Sequence, residues 1–201
     1  MKNLHRSNLF CWSEFNDDRN IDFNSYLWVR EAGNVVIDPL PLSDHDEKHL
    51  HSFGKVTHIL ITNSDHVRNG KNFAMQTGAE IWGPEGEKDT FPILCTHWLS
   101  DGNKPVLGLT VYTMHGSKTP GELAIVLDGN TLITGDLIRA HEGGKLGLLP
   151  DKKLRDKKAA MASVKRLAGI GTIEAVLPGD GWPVFRDGQR VLTELVDAFP
   201  K

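Results

Sequence analysis

Five side chains able to hold a cation or move a proton stand where apolar runs give out: Asp38, Asp65, His66, Asp136 and Asp180. Asp38 closes Val35-Val36-Ile37, while Asp65 and His66 follow Ile59-Leu60-Ile61-Thr62-Asn63-Ser64. Asp136 follows Ile133-Thr134-Gly135, and Asp180 lies in Pro178-Gly179-Asp180-Gly181. Strand ends in an α/β protein share one edge, so residues far apart in sequence can converge there. Carboxylates and imidazoles in such a set suit a divalent ion with an open position, which lowers the pKa of its water to about 7. Local roles compete at each position. Asp65 could cap a helix start, and an aspartate between glycines suits a turn.

The elements that must position these residues can be read from periodicity. Asp22–Val29 is rich in aromatic and β-branched residues, and Glu31-Ala32-Gly33-Asn34 turns the chain into a strand ending at Asp38-Pro39. Ser43 followed by Asp46 opens a polar helix to about Phe53. The dense apolar run Val56–Thr62 predicts a strand covered on both faces, followed by a helix from His66 to Thr77 and a strand over Ala79–Trp82. Pro105–Met114 reads as a strand, and Asp128-Gly129-Asn130 as a hairpin between Gly121–Leu127 and Thr131–Thr134. An amphipathic helix is expected from Asp151 to Ala168, a strand over Ile173–Leu177, and a last amphipathic helix through Val191, Leu195 and Phe199. Repeated β-then-α order implies a layered α/β protein.

Composition narrows the classes. A length of 201 residues fits one domain, 1–201, since domains run to about 100–200 residues. A net charge of −3 leaves no electrostatic footprint for nucleic acid, and no basic run addresses a membrane surface. Cys11 and Cys95 are too few for a disulfide framework or a thiolate metal site. With no apolar run near the ~20 residues of a spanning helix and no signal-peptide core, a soluble cytoplasmic protein acting on a small molecule is expected.

Five pieces in order resemble the metallo-β-lactamase fold superfamily: Val35-Val36-Ile37-Asp38, Ile59 to His66, Thr119-Pro120-Gly121-Glu122-Leu123-Ala124, Ile133-Thr134-Gly135-Asp136, and Val176 to Gly181. That resemblance covers nearly the whole chain and implies a four-layer αββα sandwich. The superfamily's His-x-His-x-Asp-His loop carries over in part: Ile61 and Asn63 take the places of two histidines, while Asp65 and His66 match. The histidine before Thr-Pro-Gly is Lys118, and the one in Pro-Gly-His-Gly is Asp180. The resemblance therefore implies loss of one metal site and retention of a second, held by Asp65, His66, Asp136 and Asp180. Asp38 and Asn63 would support those ligands.

Two functions follow as expectations. In the first, one divalent ion activates water for attack on an ester, thioester, lactone, amide or phosphoester, with Asp65 and Lys118 as catalytic groups. Three carboxylates and one imidazole are a hard donor set, open to Mn, Fe or Mg as well as Zn. Arg68 and Trp182 are candidates for substrate contact, and His115 for a further approach to the site. In the second, the protein keeps the fold but not the metal, Lys118 neutralises the acidic cluster, and the pocket serves in binding. Contact between Lys118 and Asp136 would favour the second.

Overall fold

Alternation of buried residues assigns each strand face to a layer. In the computed structural model, which describes residues 1–200, Val35 and Ile37 point into one apolar cluster and Val36 into another. Their strand belongs to a seven-stranded sheet in chain order: β1 (Lys2–Asn3), β2 (Leu9–Asn16), β3 (Ile21–Trp28), β4 (Asn34–Ile37), β5 (Val56–Leu60), β6 (Glu80–Pro84) and β7 (His97–Leu99). Strands β1 to β4 pair antiparallel and β4 to β7 parallel. Helices α1 (Asp44–Ser52) and α2 (Gly70–Thr77) supply the first two parallel crossovers, and a 3-10 segment, Glu85–Thr90, lies in the third. Leu50 of α1 and Phe73 of α2 pack on Val36, Ile59 and Ile61.

The second half repeats the plan on a smaller sheet. In chain order it contains β8 (Leu109–Thr113), β9 (Leu123–Leu127), β10 (Thr131–Thr134), β11 (Ile138–Glu142), β12 (Lys145–Leu148), α3 (Lys157–Ala168), β13 (Ala175–Pro178) and α4 (Gly188–Asp197). The sheet runs β13-β10-β9-β8, with β13 parallel to β10, and β11 and β12 form a separate hairpin. Val164 and Leu167 of α3 and Leu192 and Leu195 of α4 cover Ala124, Val126, Leu132 and Val176. The opposite faces meet between the sheets, where Tyr26, Ile37 and Leu60 pack with Val111, Ile125, Ile133 and Leu177. The order helix, sheet, sheet, helix is the expected αββα sandwich.

Sequence expectations and structure part at three places. The helix expected from His66 is a short 3-10 turn, Ser64–His66, and α2 begins only at Gly70. Arg68 interrupts it with a left-handed φ of 43°, a conformation a helix cannot include. The helix expected from Asp151 starts at Lys157, because Asp156 caps it by accepting from the Ala159 N–H at 3.0 Å. The β11–β12 hairpin and β7 carry too few alternating apolar residues to have been distinguished from loop. Among the described residues, no helix is long and apolar enough to cross a membrane.

Candidate active site

Parallel pairing of β4 with β5, and of β10 with β13, puts the C-terminal ends of all four strands on one edge. Asp38, Asp65, His66, Asp136 and Asp180 follow those ends. Backbone bonds hold the two edges together: the Leu123 N–H donates across the sheets to the Thr62 carbonyl at 2.8 Å, and the Asn24 N–H to the Gly179 carbonyl at 2.8 Å. The loop after β13 is tied to β3 as well. Tyr26 Oη donates to the Pro178 carbonyl at 2.7 Å, and Asn24 Nδ2 to the carbonyls of Pro178 and Gly181 at 3.0 and 2.7 Å.

His66 is fixed from one side. Its Nδ1 lies 2.9 Å from Asp38 Oδ2, and Asp38 also accepts from the Thr62 N–H and hydroxyl at 2.7 and 2.6 Å. With Nδ1 committed, Nε2 faces the cleft, 3.7 Å from Asp136 Oδ2 and 4.0 Å from Asp180 Oδ1. The turn that carries His66 is held by Asn63, whose Oδ1 accepts from the N–H groups of Asp65 and His66 at 3.0 and 3.1 Å. Asn63 Nδ2 donates to Asp136 at 3.2 Å. Asp38 and Asn63 thus act as braces. Burial and Arg68 pull the His66 imidazole down, but Asp38 and Asp136 outweigh them and hold it above its ordinary pKa.

Lys118 reaches the same edge from the β8–β9 connection. Its loop is docked on the start of α3, where the N–H of Arg155 donates to the Gly116 carbonyl at 3.1 Å. A Cβ on Gly116 (φ 81°) would collide with the Asp156 carbonyl, so only glycine permits that approach. The ammonium lies 2.6 Å from Asp65 Oδ2 and 2.9 Å from Asp136 Oδ2. Burial depresses Lys118, yet the two carboxylates raise it above the usual lysine value. Burial in turn raises Asp136, but His66 and Lys118 bring it below the usual carboxylate range.

Asp180, buried at 2 % exposure, stands beside two guanidinium groups, Arg68 at 3.7 Å and Arg139 at 3.6 Å. Arg68 donates to the carbonyls of Asn24, Asp38 and Gly179 at 2.6, 3.3 and 3.2 Å, so it joins the first sheet to the last loop. Its planar face covers Phe23 at 5.5 Å. Behind Asp136, Glu122 is fully enclosed; burial and then the Asp136 charge push it up to about 8. It accepts from the Leu137 N–H at 2.8 Å and from the Ser117 hydroxyl.

These groups open onto a cleft of ≈ 310 Å³ lined by Asp65, His66, Lys118, Asp136 and Asp180, with Arg19, Phe23 and Arg68 at its rim. Trp182 is 61 % exposed and His115 is exposed with its N–H tied to Ser163, and both lie outside that lining. Sequence reading missed Arg139, Glu122, Arg19 and Phe23. Arg139 carried a visible signal, a lone charge inside the apolar run Leu137–Ala140. Glu122 carried none beyond its place in Thr-Pro-Gly-Glu, because its burial depends on packing from three directions.

The donor set was expected to hold an ion, and its chemistry bears on that directly. Lys118 places an ammonium between Asp65 and Asp136, and Asn63 turns an amide N–H toward Asp136. Arg68, Arg139, Lys118 and a protonated His66 match the four carboxylates Asp38, Asp65, Asp136 and Asp180 charge for charge. Among the described residues, no three His, Cys, Asp or Glu side chains are grouped so as to hold a metal ion. As arranged, the residues do not fit a two-metal centre.

A family model described as "Metallo-beta-lactamase superfamily" matches residues 1–199. No curated protein matches the chain. Among solved structures, the chain is similar to the DIM-1 metallo-beta-lactamase, with a TM-score of 0.74 at 16 % identity over 96 % of this chain and 94 % of that one. It is similar to a metallo-beta-lactamase from Pontibacter korlensis, with a TM-score of 0.74 at 15 % identity over 96 % and 97 %. It also resembles TTHA1623, solved in a di-iron-bound form, with a TM-score of 0.70 at 20 % identity over 92 % and 98 %.

Proposed function

The chain belongs to the metallo-beta-lactamase superfamily, whose membership suggests metal-dependent hydrolase-type function, and from that premise we propose that this member uses its pocket as a metal-independent binding site for a small molecule. One observation carries the reading: the Lys118 ammonium is within 2.6 Å of Asp65 and 2.9 Å of Asp136. A protonated lysine has three donors and no lone pair, so it occupies carboxylates that a metal would need. Arg68 and Arg139 add positive charge beside Asp180, which lowers the affinity of the cluster for any further cation.

A second reading rests on a different observation. Asp180 Oδ1 is buried without a hydrogen-bond partner, and His66 Nε2 faces it at 4.0 Å with Nδ1 held by Asp38. A histidine whose far nitrogen is braced by a carboxylate is the usual posture of a ligand. In this reading His66, Asp136 and Asp180, joined by an Asp65 released from Lys118, would hold one divalent ion, and the ion would supply Lewis acidity for hydrolysis.

Elemental analysis of protein prepared without chelator decides between them. The metal-independent reading expects substoichiometric metal and no rise in melting temperature with added Mn, Fe, Zn or Mg. One ion per chain, together with a metal-dependent rise in melting temperature, would establish the second reading instead.

A further inference from the structure

The charged cleft continues past Asp180. Phe23 and Arg68 line both the cleft and a neighbouring trough of ≈ 330 Å³, so the two spaces share a wall. The trough is lined by Phe15, Phe23, Leu40 and Pro41 together with the polar residues Glu14, Asn16, Arg68 and Asn69. Two guanidinium groups lie over the Phe23 ring, Arg19 at 5.6 Å and Arg68 at 5.5 Å. Joined, the spaces fall in the range of small-molecule sites, about 300–1,000 Å³.

The two parts ask for opposite chemistry. Asp180 lines the cleft at 2 % exposure, and its Oδ1 has no hydrogen-bond partner. Arg68 cannot supply one, since it is 3.7 Å away and already donates to three carbonyls. A buried carboxylate oxygen is an acceptor only, so the group that completes it must be a donor. The trough offers mainly ring and aliphatic carbon, which rewards burial of an alkyl group.

We infer that the pocket takes a small amphipathic molecule, with an uncharged hydroxyl head donating to Asp180 Oδ1 and a short alkyl tail lying along Phe23, Leu40 and Pro41. The inference rests on the reading of this pocket as a binding site. It assigns the trough as a tail subsite and Pro41, which is exposed and outside the charged cluster, as a residue that sets tail length.

Titration calorimetry on the full chain, with n-alkanols from butyl to octyl and the matching n-alkanoates, tests both halves. Affinity should tighten about fourfold per added methylene until the trough is filled. Alkanoates should bind at least tenfold more weakly than the alcohol of equal length. Pro41→Glu, which puts a charge on the trough wall, should flatten the chain-length series. A series that is flat in the unmodified chain, a slope that survives Pro41→Glu, or alkanoates that bind as well as the donor heads would each overturn the inference. Metal analysis of the same sample is a separate readout: a bound ion sinks the metal-independent reading, while the chain-length slope still decides the trough.

Discussion

At the scale of single residues, charge balance governs the site. Removing Lys118 leaves Asp136 buried beside Asp65 without its closest cation, and unpairing a buried charge is costly. Lys118→Met should lower stability by about 2 kcal/mol in urea titration, discounted because the lysine keeps partial access to solvent. The same variant should become responsive to metal, its melting temperature rising with added Mn or Zn while that of the unmodified chain stays put. A variant insensitive to metal would mean that Lys118 is not standing in for a cation. Glu122 gives a pH signature. Its folded pKa of about 8 lies above the usual carboxylate value, so the folded state holds a proton that the unfolded state has released, and stability falls as pH rises toward 8. His66, also raised, acts in the same direction: its contribution is complete below the unfolded histidine value and is lost as pH climbs through the folded one. Glu122→Gln keeps the acceptor for the Leu137 N–H and turns an amide N–H toward the Ser117 hydroxyl, which can rotate to accept it, so it should flatten much of this decline in denaturation measured from pH 5 to 8. An unchanged slope in the variant would show that Glu122 is ionised in the folded protein.

At the scale of elements, the strand ends were legible and the loops that finish them were not. Val56–Leu60 and Ala175–Pro178 announced themselves by apolar runs, and Ser43 marked the start of α1 as expected. The left-handed Arg68 could not be read, because its conformation is imposed by carbonyls of Asn24, Asp38 and Gly179 that lie far away in sequence. Arg68→Ala removes those charge-assisted bonds and should destabilise the chain by about 3 kcal/mol in chemical denaturation. Little change would show that the carbonyls are satisfied otherwise. The glycines of Pro178-Gly179-Asp180-Gly181 now have a physical reason. A Cβ on Gly181 (φ 97°) would strike the Ala140 carbonyl, and one on Gly179 would stand 2.5 Å from His66 Cε1. Gly181→Ala should therefore cost more than about 3 kcal/mol, by strain and by displacing Asp180.

At the scale of the whole molecule, the sandwich was legible because the motif order tracks the strand order, while the contents of its edge were only half visible. Sequence named Asp38, Asp65, His66, Lys118, Asp136 and Asp180 because they end strands or occupy motif positions. It passed over Arg139 and Glu122, whose importance comes from what packs around them. The central core draws Ile37 and Leu60 from one sheet and Ile125 and Ile133 from the other, so the sheets should unfold together. Ile125→Ala should lower stability by about 3 kcal/mol and shift circular dichroism and tryptophan fluorescence to one common midpoint. Separate midpoints would mean that the sheets are independent. Among the described residues the chain crosses from one of the two large sheets to the other only once, through the segment between Leu99 and Leu109, and Asp101 to Lys104 in that segment are exposed. A polypeptide divided there yields two pieces, one carrying His66 and Arg68, the other Lys118, Asp136 and Asp180. Neither piece holds a finished pocket, so reassociation of the pair would itself report that the pocket has formed.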